Sequence, residues 1–178
     1  LLDDNHRLTK SAEDGVNTVY SWDDAGNMTK KATTNGDTWE YHWDARDKLT
    51  KVRKQPDGGA MSDVAAYAYD AHGRRFQKTA GGTTRTFYQD GLTPRVETET
   101  GLTKYHRATP GAYGNVLMTD DGGAIDFYAY DRLGNVIATF DESGYLQDQP
   151  VMDAFGNVLD GTRADFGLTT KQYDEDVE

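Results

Sequence analysis

The segment "YAYDRLGNV", Tyr128 to Val136, decides the fold, because its first four letters and its glycine recur in "YAYDAHGRR", Tyr67 to Arg75. With the aspartate taken as position 0 and called the anchor Asp, the shared pattern has Tyr at −3, an aromatic residue at −1 and often Gly at +3. A segment that recurs along one chain is a unit of construction. The chain is therefore predicted to be built from repeats.

Four copies fit this pattern well, and partial copies lie around them. Anchor Asp residues from Asp3 onward are 20, 21, 26 and 20 residues apart, and a period of 20 to 22 dominates the chain. The predicted signature residues, with those of one partial copy last, are Tyr20, Trp22, Asp23, Gly26, Tyr41, Trp43, Asp44, Tyr67, Tyr69, Asp70, Gly73, Tyr128, Tyr130, Asp131, Gly134, Asp153 and Gly156.

Each unit is predicted to be one β-hairpin. Alternation with a period of two places Trp39, Tyr41 and Trp43 on one strand face, with Glu40 and His42 on the other. A second, tighter turn is expected about ten residues after each anchor. Its signals are Asn35-Gly36, Gly81-Gly82, Thr100-Gly101, Asp121-Gly122 and Ser143-Gly144.

The anchor Asp and the glycine at +3 suit a type I turn in a bulged hairpin. We expect Gly134 to adopt a positive φ and the Asp131 carboxylate to accept backbone N–H groups of its own turn. Asp47 stands where other units have glycine, so it should adopt the same backbone under strain. These residues are predicted to shape the fold, not to perform chemistry.

Helical spacing of apolar residues is close to absent, and turn residues interrupt the chain about every ten positions. The sequence therefore predicts an all-β fold of antiparallel hairpin repeats. Residues 1–161 form the repeat region, and residues 162–178 break the period and form a separate tail.

Charge and composition narrow the function. The net charge of −11 disfavours a nucleic-acid partner, because the field of the protein repels a phosphate backbone. The chain has no cysteine, and no apolar run approaches the roughly 18 residues of a membrane span.

Residues suited to catalysis or metal binding are weakly represented. The four histidines lie about 30 or more residues apart along the chain, outside any metal-binding motif. No serine lies in a nucleophile-elbow motif, and the acidic pairs fit turn caps or solvated charge. We predict no catalytic residue, no metal site and no cofactor. We call the aromatic residues at −3 and −1 the aromatic ladder. Their side chains are predicted to stack between neighbouring units and stabilise the sheet, and the alternative is that the outermost rings bind carbohydrate.

The repeat pattern resembles the YD repeat of the Rhs family, which includes wall-associated proteins, C components of insecticidal toxin complexes and teneurins. The order "YAYDRLGNVIATFDESG" then "DAFGNV" resembles the Rhs-associated core, and "FGLTTKQYDED" resembles the start of the segment that follows, cut short after Asp176. The resemblance implies a curved or spiralling sheet that forms part of a β-shell.

In toxin members of that family, the shell encloses a C-terminal effector that is released by self-cleavage near an Asp-Pro motif. The chain has no Asp-Pro dipeptide, so the resemblance assigns self-cleavage to none of its residues. It implies a non-enzymatic structural module of a secreted or cell-surface protein, with flanking repeats or a C-terminal effector as partners. The alternative is an extracellular adhesion module that binds carbohydrate or protein. Open sheet edges also predict self-association.

Overall fold

The computed structural model of the chain consists of two compact units, Leu1–Thr83 and the part that begins at Thr84. The structure describes residues 1–90, 93–108, 116–153, 158–162 and 166. The predicted tail, residues 162–178, lies outside the described residues except for Thr162 and Phe166, and Gly156 lies outside them as well.

The first unit is a meander in which each strand pairs antiparallel with the next. Its strands are β1 (Lys10–Glu13), β2 (Val16–Trp22), β3 (Met28–Thr33), β4 (Thr38–Trp43), β5 (Leu49–Gln55), β6 (Ser62–Tyr69) and β7 (Arg75–Ala80).

The second unit continues in the same manner, and a two-stranded pair of β15 with β16 follows. Its strands are β8 (Thr83–Asp90), β9 (Thr93–Glu99), β10 (Leu102–Ala108), β11 (Val116–Asp120), β12 (Ile125–Tyr130), β13 (Val136–Phe140), β14 (Leu146–Asp148), β15 (Val151–Met152) and β16 (Val158–Asp160). The described residues contain no helix, and the predicted all-β fold of antiparallel hairpins is confirmed.

The core of each unit lies on the face that carries the signature aromatic residues. In the first unit, the buried cluster is Trp39, Tyr41, Val52, Ala65 and Tyr67, with Trp43 and Tyr69 packed against it. In the second unit, it is Val116, Tyr128, Val136 and Phe166, with Tyr130 packed against it. The prediction that the −3 and −1 side chains share a face is confirmed.

The turns at Asp23, Asp44, Asp70 and Asp131 have the predicted backbone. Gly26, Gly73 and Gly134 have φ values of 93°, 76° and 82°, and Asp47 adopts 58° in the same position. His6, three residues after Asp3, adopts 63°. The register of these four hairpins shifts by one residue between positions −2 and −1, which is the β-bulge that this turn produces.

The predicted tight turn at residues 143–144 has the geometry of an anchor turn. Ser143-Gly144 belongs to a longer turn that begins at Asp141, whose N–H donates to the Tyr145 carbonyl at 3.0 Å, while the Gly144 N–H donates to the Asp141 carbonyl at 3.0 Å. Residues 141–144 therefore repeat the anchor turn. The sequence prediction was wrong here because Ala138 replaces the tyrosine at −3 and hides the copy.

Candidate functional site

The anchor turn uses every oxygen of its aspartate. At Asp131, Oδ1 accepts the backbone N–H groups of Leu133 at 2.8 Å and Asn135 at 2.9 Å, and Oδ2 accepts the Asn135 side-chain amide at 2.7 Å. The Gly134 N–H donates to the Asp131 carbonyl at 3.1 Å. The predicted role of Asp131 as a cap of turn amides is confirmed.

The same carboxylate bonds recur at the other anchors. Asp23, Asp44 and Asp70 each accept the backbone N–H of the residue at +4, at 2.8 to 3.0 Å. Hydrogen bonds from the residue at +4 hold the pKa of each anchor carboxyl below its ordinary value. The largest cause is the Asn27 side-chain amide at Asp23, and it is the backbone N–H of the +4 residue at Asp44, Asp70 and Asp131. The anchor carboxyls therefore stay ionised at neutral pH and are unsuited to act as general acids.

The aromatic side chain at −1 links each hairpin to the unit before it. The polar atom of this side chain donates to a backbone carbonyl. In the first unit of the structure, each acceptor lies five residues after the preceding anchor Asp. Indole Nε1 of Trp22 reaches Leu8 O at 2.9 Å, and that of Trp43 reaches Met28 O at 2.8 Å. The Tyr69 hydroxyl reaches Leu49 O at 2.8 Å.

The fourth example lies in the second unit, where the Tyr130 hydroxyl donates to the Val116 carbonyl. Val116 follows Gly114-Asn115 in the sequence as Val136 follows Gly134-Asn135, so it occupies the matching position. Burial of Tyr130 raises the pKa of its hydroxyl above the ordinary range, which keeps the proton that this bond requires.

Polar side chains reinforce these links in the first unit. Arg7 Nη1 donates to the Asp23 carbonyl at 2.9 Å, and the Asn27 side-chain amide donates to Asp47 Oδ1 at 2.9 Å. We call the −1 donor, its carbonyl acceptor and these bridging side chains the repeat junction. Sequence reasoning missed the junction, although a polar residue that recurs four positions after the anchor was its available signal.

The tyrosines at −3 form the buried wall of the ladder. Tyr41, Tyr67 and Tyr128 are buried, and the Tyr128 hydroxyl donates to Thr119 Oγ1 at 3.1 Å. Among the described residues, the Tyr41 hydroxyl has no hydrogen-bond partner, and burial raises its pKa. These three buried rings offer no flat face to a sugar, so a carbohydrate platform on the ladder would need its other, partly exposed rings.

A chain of buried polar side chains crosses the second unit from β9 to β12. His106 Nε2 lies 2.7 Å from Glu97 Oε1, and His106 Nδ1 lies 3.0 Å from Thr119 Oγ1, which also accepts the Tyr128 hydroxyl. Arg85 Nη1 lies 3.8 Å from Glu97 Oε2. We call Glu97, His106, Thr119 and Tyr128 the buried polar chain. The repeat pattern of the sequence does not connect these four residues.

The remaining site predictions have simple outcomes. Asp153 directly follows β15, and its partner in the predicted signature, Gly156, lies outside the described residues. Within the described ranges, no three His, Asp or Glu side chains are grouped so that they would hold a metal ion. The part of the chain that the structure describes contains no helix that is long and apolar enough to cross a membrane.

Comparison with known proteins places this geometry in a family. Residues 3–38 match the RHS Repeat family. The chain is 33% identical, over 97% of its length, to the tRNA3(Ser)-specific nuclease WapA of Bacillus spizizenii, and 32% identical to the tRNA nuclease WapA of Bacillus subtilis. The chain belongs to the RHS repeat family. This RHS-repeat chain spans 7% of the length of each of these relatives.

Solved structures share the fold at low sequence identity. The TcdB2-TccC3-Cdc42 crystal structure matches 83% of the RHS-repeat chain and 9% of its own, with a TM-score of 0.55 and 12% identity. The Photorhabdus luminescens Tc holotoxin pore matches 80% of the chain and 9% of its own, with a TM-score of 0.53 and 12% identity. At this identity, the likeness shows the fold alone.

Proposed function

We propose that the chain is a non-enzymatic structural module of an Rhs-like protein, part of a shell that encloses, carries or presents another polypeptide, such as a C-terminal toxin. The observation that carries this proposal is the repeat junction. The anchor carboxylates cap their own turns, and the −1 aromatic donors bond to the preceding unit. Residues that recur most regularly are thus engaged in building the sheet.

The nuclease activity named for the WapA relatives is proposed to reside outside the stretch that matches this chain. The net charge of −11 opposes tRNA binding, and the anchor carboxyls are held ionised. The purified chain should leave tRNA intact at protein concentrations far above those of an active nuclease. Cleavage that co-purifies with the chain and disappears in the His106→Ala variant would contradict this part of the proposal.

The enclosing role is tested on the longer polypeptide that the proposal implies. Limited proteolysis should spare the polypeptide that follows the repeats as long as the sheet is intact. Replacing both junction tyrosines, Tyr69→Phe with Tyr130→Phe, should expose it to the protease. The exposed pair Tyr88→Phe with Tyr105→Phe is the matched control. Equal digestion of the effector with and without the repeats would overturn the proposal.

Flanking repeats or a C-terminal effector of the same polypeptide are the proposed partners, in a protein that is secreted or displayed at the cell surface. Large polypeptide relatives support this proposal, because the chain covers only 7% of each. Self-association through sheet edges stays a prediction, and light scattering over a range of concentrations tests it.

An adhesive role is the second candidate, and one observation gives it a location. Tyr88 and Tyr105 are 56% and 51% exposed, and both pair with Val96 between them. Two strand spacings put residues in such a row about 10 Å apart, a separation that suits rings stacked on a neutral glycan. A glycan array should then register binding that Tyr88→Ala with Tyr105→Ala abolishes. No signal on the array would remove this candidate.

A further inference from the structure

Phe166 occupies a closed pocket on the ladder face of the second unit. Its side chain is 1% exposed, and it clusters with Val116 and Val136, which are fully buried. Its ring centroid lies 5.2 Å from that of His106 and 5.8 Å from that of Tyr128, with interplanar angles of 87° and 84°. Two rings therefore meet the phenyl group at nearly right angles, the arrangement that aromatic quadrupoles favour.

The buried polar chain fixes these two rings. The Tyr128 hydroxyl donates to Thr119 Oγ1, so the hydrogen of the Thr119 hydroxyl can point to His106 Nδ1. The imidazole proton then lies on Nε2 and is donated to Glu97 Oε1 at 2.7 Å. This tautomer, inferred from the partners, satisfies every member of the chain.

Burying a carboxylate and an imidazole costs desolvation free energy. Glu97 and His106 are each 3% exposed, and apolar residues of similar volume would fill the same region without desolvating a charge. The bonds at both imidazole nitrogens instead prevent the His106 ring from turning, and the Tyr128 ring is held by its hydroxyl. The polar chain thus supplies orientation, which an aromatic binding site needs.

We propose that this pocket is a binding site for one aromatic side chain of the polypeptide that follows the repeats, occupied here by Phe166. Val116 and Val136 supply the apolar surface of the pocket, and the rings of His106 and Tyr128 contact the bound aromatic ring. Glu97 and Thr119 are positioning residues that hold those two rings. The site gives the RHS-repeat sheet a specific attachment point for that polypeptide. Its biological meaning rests on the proposed enclosing function, whereas the binding itself is tested apart from it.

The direct test removes the Phe166 side chain and offers the pocket a separate peptide that carries the same phenylalanine. The Phe166→Ala variant of the full chain is titrated into a fluorescently labelled peptide with the sequence of residues 162–171, TRADFGLTTK. We expect saturable binding, at least about tenfold weaker for the peptide with alanine in place of phenylalanine. The wild-type chain, whose pocket is filled, should bind neither peptide.

Equal binding of the two peptides, or equal binding by the wild type and Phe166→Ala, would overturn the proposal. If Phe166→Ala does not fold, Phe166→Leu keeps most of the volume and lacks the ring. The phenylalanine peptide should then displace the leucine and restore ring-current shifts on the His106 and Tyr128 protons. Absence of those shifts at saturating peptide would likewise count against the site.

The positioning role has its own readout. Nitrogen-15 chemical shifts of His106 should show a protonated Nε2 in the wild type. Tyr128→Phe keeps the ring but removes its bond to Thr119, so it should weaken peptide binding to the Phe166→Ala background several-fold and alter the Nδ1 shift. Tyr88→Phe in the same background is the matched control. Unchanged binding and an unchanged Nδ1 shift in Tyr128→Phe would refute positioning. Protease protection of the effector is measured in a separate experiment. Failure of the binding site and failure of the proposed enclosing function can therefore be told apart.

Discussion

At the scale of the residue, the left-handed backbone three positions after Asp23, Asp44, Asp70 and Asp131 explains which residue types the turn accepts. Glycine adopts a positive φ without steric cost, whereas other residues pay about 1–2 kcal/mol there. Asp47, at 58°, accepts the Asn27 amide with its side chain, which offsets part of that cost. An exception to the repeat pattern is thus tolerated where its side chain joins a repeat junction.

Substitution of a turn glycine by alanine should measure the free-energy cost of a positive φ. A Cβ on Gly26 would meet nothing within 4 Å, so Gly26→Ala tests φ alone, and we expect a loss of about 1–2 kcal/mol in the free energy of unfolding. Gly123 lies outside the positive-φ region and has room for a Cβ, so Gly123→Ala should change stability by about 0.5 kcal/mol or less. Urea unfolding measures both, and equal losses would contradict the argument.

Two tyrosines at the same repeat position should respond oppositely to loss of the hydroxyl. Tyr41→Phe removes a buried hydroxyl that is unpaired within the described residues, so stability should stay the same or rise. Tyr128→Phe breaks the bond to Thr119 and should cost about 0.5–1.5 kcal/mol. Thermal melting compares the pair. A clear loss in Tyr41→Phe would mean that its hydroxyl has a partner after all.

At the scale of the element, the β-bulge explains why the −1 side chain reaches the neighbouring unit. The extra residue between −2 and −1 re-aims the next side chain, so the ring of Trp43 or Tyr69 reaches a backbone carbonyl of an earlier hairpin. The anchor turn and the repeat junction are therefore coupled. The turn produces the bulge, and the bulge directs the −1 side chain toward its carbonyl acceptor.

Removing one junction donor should weaken a boundary between hairpins. Tyr69→Phe keeps the ring and deletes the bond to Leu49 O, so we expect a loss of about 0.5–1.5 kcal/mol. Amide hydrogen exchange should accelerate most in β3 to β7, around that junction. Tyr105→Phe, at an exposed tyrosine, is the control and should change neither quantity. Uniform acceleration throughout the chain would argue against a local role.

The anchor turn was predictable from the sequence because its geometry depends on residues within four positions of one another. Asp131 and Gly134 carry that information themselves. The bond of the −1 donor in the junction was not predictable, since its acceptor is a backbone carbonyl 14 to 20 residues away, which any residue type provides. Glu97 and His106 escaped notice because charged residues on strands usually mark a solvated face, and only the packed structure reveals that these are buried.

At the scale of the whole molecule, the acidic composition and the repeat have a joint consequence. Anchor carboxylates at Asp3, Asp23, Asp44, Asp70 and Asp131 all have a lowered pKa, because their turns bond the ionised form. The unfolded chain loses these bonds and binds protons at the ordinary pKa near 3.8. Acid therefore favours unfolding, and each added repeat contributes another carboxylate of the same kind.

The contribution of the anchor carboxylates to stability should accordingly be constant from pH 7 to about pH 5 and be lost as the pH drops below about 4, through the ordinary pKa and then the lowered ones. Thermal melting from pH 7 to pH 2.5 gives the profile. Asp131→Asn removes one titrating anchor while its amide oxygen still accepts turn N–H groups, so its midpoint should fall less steeply in acid than that of the wild type. Tyr105→Phe removes no carboxylate, so it is the control and should parallel the wild type. If Asp131→Asn parallels it too, the acid sensitivity originates elsewhere, because a carboxylate bonded in the folded state binds fewer protons there than in the unfolded chain, and its removal should flatten the profile.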